Sequence, residues 1–554
     1  MSERLPQNYI PSNYDLYIHI IKEEKQFNAS LTITFQKTHD DDKLLLNIGQ
    51  SITINAIFQK NIELRYDIDY PILTIYRPTE PEIDFDTHPL TISYSIKPLF
   101  HPKQKIGLYI YEGCYLTHLE PLGARELMPC FDEPCVRSTF SIKVRIPTYL
   151  TAISNMPVES IDEKDNEYEK EVKFLTTPPM CTYLLCICVG TFSAIERTTE
   201  KGVPIQYYSK SDNEKNFERY LDAATFAMNW MESKFHIDYE LPHLQLLSLD
   251  GCTAGMENYG LITLPDYTRY TNIVQNISVV IHEVIHQWFG NLVSIQYWNY
   301  LWLKEGFAQF IQYLILNDYM PNSNAFQIFA FNDGMKSLDY FDSGVIMPSE
   351  SEVDFDHLFD SLTYSKGAFV LKMFHNLIGQ ENFLNICHKY LNDFKNKSVI
   401  LSDFISVVNS SLNEDYSSFF NCWLKKKGFP VLTVRENGPN LGITIVQMKQ
   451  GDEFYKFKVP VVYSKDGEIK SQDVVISNYI TQVSMNFDWI LVNNNFSSLC
   501  FVVYSKNLLN CLLKAKKEGK ISFLNQKLIV KSIKSECTPF LIDDEMLEMS
   551  SEFE

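Results

Sequence analysis

The chain has 554 residues, too many for a single hydrophobic core, and 45% of them are hydrophobic and 14% aromatic, which excludes a disordered scaffold. Its formal charge of −20 excludes a nucleic-acid partner, because phosphate binding needs a basic face, and weakly favours ligands that carry positive charge.

In chain order, the start MSERLPQNYIPSNY has no apolar stretch of the secretory kind, and the longest apolar run, YLLCICVG, is far short of a membrane span. No membrane partner is expected, and a cytoplasmic protein is the reading. The twelve cysteines are scattered without paired metal spacing, so reduced, mostly buried thiols are expected. Residues 1–195 read as β: YDLYIHI, SLTITF, LTISYSI and STFSIKVRI alternate apolar and polar residues between Pro, Asn and Asp turns. From 196 to 427 the period becomes helical, in KNFERYLDAATFAMNWMESKF, the segment around 281–291, LWLKEGFAQFIQYLIL, SKGAFVLKMFHNLIG and ENFLNICHKYLNDF. Strands return over 428–503 and predict a small β-sandwich. Residues 504–554 read as helical and basic around Lys514–Lys520, then as an acidic tail, DDEMLEMSSEFE, expected to be solvated and disordered.

The chemistry concentrates in IHEVIHQWFGN at 281–291. Val274, Ile277, Ile281, Val284, Ile285 and Trp288 recur at three- and four-residue spacing, which predicts a helix that stops near Gly290-Asn291. His282 and His286 then lie one turn apart on one face, where two imidazoles converge on one ion. Glu283 is rotated away by about 100°, a position suited to a base rather than a ligand. A catalytic zinc takes a third protein ligand and keeps one position open. Glu305, on the next predicted helix with eighteen residues between it and His286, is the expected third ligand. Two further glutamates, Glu257 in CTAGMENYGLITL and Glu120 in THLEPLGARELMPCFDEP, sit in apolar surroundings where an idle carboxylate is costly.

HEVIHQWFGN followed by LWLKEGFAQF, and preceded by GMENYGLITL and LEPLGARELMPCFDEP, resembles the zinc metallo-aminopeptidases related to aminopeptidase N and leukotriene hydrolase, the gluzincins. The likeness extends through LPQNYIPSNYDLYI, YLLCICVGTF, YELPHLQLLSLD, YSKGAFVLKMF and CWLKKKGFPVLTV. It implies a multidomain α+β protein: an N-terminal β-sandwich or saddle domain (1–195), a thermolysin-like α/β zinc catalytic domain (196–427), a small β-sandwich (428–503) and a remnant of a helical C-terminal domain (504–554). It implies one zinc per chain held by His282, His286 and Glu305, with Glu283 as general base and acid and Tyr364 as hydroxyl donor to the oxyanion. Glu257, helped by Glu120 and with His118 nearby, is expected to hold the substrate's α-ammonium group. Ala254, Gly255, Met256 and Asn258 are expected to offer backbone to the substrate as an added strand. The reaction expected is hydrolysis of the N-terminal residue from peptides with a free α-amine.

Some positions depart from the family pattern. Ala254 replaces the usual first glycine of the GMEN segment, Thr253 stands at a position that lines the first side-chain pocket in relatives, His118 replaces a common glutamine, and Lys304 a common asparagine. Only about fifty residues follow the sandwich, so a truncated helical domain, an open cleft and weak self-association are expected. The competing expectations are a non-catalytic peptide-binding scaffold that keeps the site, and an epoxide hydrolase of the leukotriene type.

Overall fold

The computed structural model describes residues 4–554 except 22–25, 79–83, 101–104, 164–167, 211–213, 253, 267–271, 341–343, 346–349, 351–352, 356, 361, 438–441 and 449–454. The chain is a multidomain α+β protein that divides into two compact units, Met1–Trp298 with Leu391–Ile400, and Asn299–Tyr390 with Leu401–Glu554.

The first unit is built on β-sheets. In Phe27–Lys37, Phe27, Ala29, Leu31, Ile33 and Phe35 are buried at every second position, so one face of the strand faces the core. This strand pairs antiparallel with Tyr9–His19, which pairs parallel with Arg137–Pro147, at the centre of a nine-stranded sheet. A five-stranded sheet carries Cys114–His118 between Gly107–Tyr111 and Ile187–Gly190. It therefore ends at His118, two residues before Glu120. Among the described residues no α-helix precedes Glu214, as the alternating sequence predicts.

A four-stranded mixed sheet follows, Ser193–Thr198, Pro204–Ser209, Leu244–Ser248 and Leu261–Leu264 in that order. Its last two strands are parallel and buried at every residue, matching their continuous apolar runs. Helix α1 (Glu214–Phe235) packs against α2 (Ile273–His286). The Asn272 side chain caps α2 by accepting a hydrogen bond from the Gln275 amide at 3.2 Å. From Asn276 onward nearly every residue of α2 is buried, so its histidines lie in a low-dielectric interior. The helix ends at His286, and Gly290 takes a φ of 129° in the turn that follows.

The second unit opens with α3 (Trp302–Tyr319), which packs on the helix Gly367–Ile378. A Cβ added to Gly306 would lie 3.1 Å from the Gly367 carbonyl carbon, so the two backbones approach as closely as only glycine permits. Residues 428–504 form two small sheets: Ile480–Val483, Ile443–Met448, Val431–Glu436 and Phe501–Tyr504 in one, and Glu468–Ile476, Phe457–Lys465 and Trp489–Val492 in the other.

The C-terminus departs from expectation. The acidic tail is ordered as a helix, Asp544–Ser551, capped by the Asp543 carboxylate accepting from the Met546 amide at 3.0 Å. Met546, Met549 and Phe553 are buried at helical spacing, an apolar stripe hidden in an acidic composition. Lysines of the two preceding helices partly neutralise this tail: Lys506 pairs with Asp543 at 2.9 Å, Lys517 with Glu552 at 3.2 Å, and Lys534 with Glu554.

Candidate active site

On α2 the Nε2 atoms of His282 and His286 are 3.0 Å apart, and both side chains are buried. His286 Nδ1 lies 2.9 Å from the Phe289 carbonyl oxygen, so it is the nitrogen that carries the proton, and Nε2 presents a lone pair. Two imidazole nitrogens this close repel unless a proton or a cation lies between them. The donor set therefore fits a zinc ion, whose usual protein ligands are imidazole, carboxylate and thiolate. Glu283 is buried beside them, and Glu257, Glu283 and His286 offer ligand atoms within 4.8 Å of one another. Gly255 accommodates this carboxylate: a Cβ there would stand 2.1 Å from Glu283 Oε1.

Glu257 is held through its backbone. Its carbonyl oxygen accepts from Asn291 Nδ2 at 2.7 Å and from Gln287 Nε2 at 3.1 Å, while Gln287 Oε1 accepts from the Gly260 amide at 3.1 Å. Met256 and Thr263 exchange both backbone hydrogen bonds, at 2.9 and 3.0 Å, and Asn258 Nδ2 donates to the Leu261 carbonyl at 3.1 Å. The segment is thus riveted to the adjacent strand and to the end of the histidine helix. Ala254 is exposed and Gly255 half-buried, whereas Met256, Glu257 and Asn258 are buried; Thr253 lies outside the described residues. The sequence gives Gln287 no role and Asn291 only that of a helix stop; the available signal was their placement as amides one and five residues after His286 in an otherwise apolar stretch.

Glu120 is also buried, and its carboxylate oxygen lies within 4.8 Å of that of Glu257. Its loop is pinned by a buried ion pair, Arg125 Nε to Asp132 Oδ2 at 2.8 Å, and by the Gly49 amide donating to the Arg125 carbonyl at 2.7 Å. Two buried carboxylates at this separation call for a cation. His118 is half-buried; desolvation holds its pKa below the ordinary 6.5, and the negative charge of Glu257 partly offsets the shift. The first unit therefore brings His118, Glu120, Glu257, His282, Glu283 and His286 into one neighbourhood.

The second unit carries Glu305 and Tyr364. Glu305 is buried in the first turn of α3, where the helix dipole favours a carboxylate, and Lys304 Nζ is 2.8 Å from its Oε1. The departure at Lys304 thus places a buried ammonium on the expected ligand itself. Tyr364 is half-buried in a π-helical turn, Leu362–Lys366, a geometry frequent at functional sites. Two residues on, burial pushes the Lys366 pKa down to about 8, and its Nζ lies 4.8 Å from the centroid of the Phe429 ring.

The profile of the Peptidase M1 N-terminal domain matches residues 10–184, and that of the Peptidase family M1 domain matches residues 219–423. Glutamyl aminopeptidase of Rattus norvegicus is 29% identical over 467 residues, covering 78% of this chain and 48% of that protein. Aminopeptidase M1-D of Oryza sativa subsp. japonica is 30% identical over 76% of this chain and 52% of its own length. Puromycin-sensitive aminopeptidase of Caenorhabditis elegans is 28% identical over 92% of this chain and 58% of its own. The chain spans about half the length of the curated relatives it matches. Matched in order by both M1 domain profiles, with the two histidines and the glutamates of its motifs in buried, buttressed positions, the chain belongs to peptidase family M1, the aminopeptidase N family of zinc metallopeptidases.

Proposed function

We propose that the chain is a zinc-dependent aminopeptidase that removes the N-terminal residue from peptides with a free α-amine. The observation that carries this reading is the buried pair Glu120 and Glu257 beside the Glu283 and His286 of the histidine helix. A cation-binding pair next to a hydrolytic motif selects a chain end, because only an N-terminus supplies the ammonium group. His282, His286 and Glu305 are the residues that hold zinc in this reading. Bound there, zinc supplies Lewis acidity, which lets water attack a peptide carbonyl at neutral pH.

The chain's own residues do the rest. Glu283 accepts the proton of the attacking water and returns it to the leaving amine. The Tyr364 hydroxyl donates to the oxyanion that develops on the scissile carbonyl. Glu257 and Glu120 hold the ammonium group, and the backbone of Ala254, Gly255, Met256 and Asn258 aligns the peptide as an added strand. The span from this acidic pair to the histidines then measures one residue.

In the same reading, 1–195 is the N-terminal β domain, 196–427 the thermolysin-like catalytic domain, 428–503 the small sandwich and 504–554 a short helical segment with the acidic tail. Peptides are its partners, with neither nucleic acid nor membrane, and it self-associates weakly. Among the described residues no helix is long and apolar enough to cross a membrane. A reducing, cytoplasmic setting suits a chain in which nine of twelve cysteines are buried. The test is zinc content and aminoacyl-arylamide turnover measured on one preparation. Stoichiometric zinc with turnover supports the proposal, and zinc without turnover of any aminoacyl-arylamide in a panel overturns it.

A further inference from the structure

The Tyr364 turn is not held by its own backbone alone. Asp333, buried in a second π-helical turn, Ala330–Gly334, accepts three side-chain hydrogen bonds. Its Oδ1 accepts from Gln309 Nε2 at 3.0 Å and from Ser365 Oγ at 2.8 Å, and its Oδ2 accepts from the Tyr313 hydroxyl at 2.8 Å. Its backbone carbonyl also accepts from Ser337 Oγ at 2.7 Å.

The donors come from two places that matter to the proposed reaction. Gln309 and Tyr313 follow Glu305 at four-residue spacing, so all three share one stripe of α3. Ser365 is the neighbour of Tyr364 in the π-turn Leu362–Lys366. One carboxylate thus ties the stripe that begins with the expected zinc ligand to the turn that carries the expected oxyanion donor. A π-turn is a rare backbone state that persists where its surroundings over-determine it, and here two such turns are bonded to each other through Asp333 and Ser365. Packing alone gives no reason for a carboxylate at this site. Burial raises the Asp333 pKa, its three hydrogen-bond donors only partly offset that cost, and apolar groups in place of the carboxylate and its donors together are often neutral or better in a core. What a carboxylate supplies and an apolar group does not is direction: two oxygens fixing three donors at defined angles.

We propose that Asp333 is a positioning residue for the reaction, acting through Ser365 to hold the Tyr364 hydroxyl in register with the Glu305 stripe of α3. This rests on the reading of Tyr364 as the oxyanion donor. A hydroxyl displaced by about 1 Å loses on the order of 10²-fold in rate, so a hydrogen bond that fixes its turn acts on kcat. Substrate capture, assigned to Glu120 and Glu257, is left nearly unchanged.

The test is a double-mutant cycle on the full chain, with kcat and KM read on an aminoacyl-arylamide. Ser365→Ala removes one bond and leaves the carboxylate with its other donors, so it keeps the measurement possible even if Asp333→Asn does not fold. The expected results are a fall of about tenfold in kcat for Ser365→Ala and about 10²-fold for Asp333→Asn, each with KM within about twofold. The decisive result concerns the pair: Ser365→Ala with Tyr364→Phe should be no slower than Tyr364→Phe alone, within about twofold. If the two losses multiply, Asp333 and Ser365 do not act through Tyr364 and the inference falls while the proposed function stands. If Tyr364→Phe alone keeps wild-type kcat, the oxyanion role falls and takes this inference with it.

Discussion

The proposed amine anchor of the first unit and the Tyr364 turn of the second are built in opposite ways. Glu257 is fixed by its main chain: the Asn291 and Gln287 amides grip its carbonyl, and the neighbouring Met256 is laddered to Thr263. Tyr364 sits in a π-turn bonded through Ser365 to a buried carboxylate, Asp333, on which other side chains converge. The difference suits the two tasks. A cation held by two carboxylates tolerates small shifts of the ligand, because Coulomb attraction falls off slowly with distance. A hydroxyl that must meet a developing oxyanion does not, because hydrogen bonds weaken steeply away from linearity. With the roles proposed, rigid backbone serves binding and a directional network serves chemistry.

Four substitutions test whether the two regions differ in this way. The largest effect is expected from Glu283→Gln, which keeps its metal and loses on the order of 10⁴-fold in kcat if the glutamate is the proposed base and not a ligand; zinc content by elemental analysis and turnover on one sample check both halves. Tyr364→Phe comes next, with about 10²–10³-fold lost from kcat and KM nearly constant, read from saturation curves. On the binding side, Glu257→Ala lowers kcat/KM for free-amine substrates by about 10²-fold. Asn291→Ala leaves both carboxylates in place but removes one of the two amides that grip the Glu257 carbonyl, and about tenfold is expected, chiefly in KM. A loss confined to kcat in Asn291→Ala would erase the distinction between the two regions.

The smallest effect is one of pH. His118 titrates below its ordinary 6.5 because burial disfavours the imidazolium, so it is neutral at pH 7. As pH falls through its pKa it gains a positive charge beside Glu257, which competes with the substrate's ammonium, and KM rises by a few-fold. The same depressed pKa means that the folded state loses stability as pH falls through it. KM against pH in His118→Gln should lack that acid-side rise; superimposable profiles would dispose of the competition.

The sequence disclosed the histidine helix because its apolar positions keep a helical period through IHEVIH and its ligand spacing is local. Glu120 and Glu257 stand out locally only as carboxylates in apolar surroundings, and their expected role, like that of Tyr364, comes from the resemblance. The Asn291 grip on Glu257 and the Asp333 bond to Ser365 were not legible, because each joins residues 34 and 32 positions apart and depends on tertiary placement. The acidic C-terminus was misread for a different reason. Its composition suggests repulsion, while Met546, Met549 and Phe553 form a buried stripe and lysines of the preceding helices supply the counter-charge. In this segment the helical period of the apolar residues, not the acidic composition, decides the structure.

The central claim is that a buried acidic pair restricts hydrolysis to a free N-terminus, and matched peptides test it most directly. One peptide of about eight residues is incubated with the protein in two forms, with a free and with an acetylated N-terminus, and products are followed by mass spectrometry. The account predicts a ladder of single-residue losses from the free peptide and no product from the acetylated one. Internal cleavage, or efficient digestion of the acetylated peptide, would contradict it.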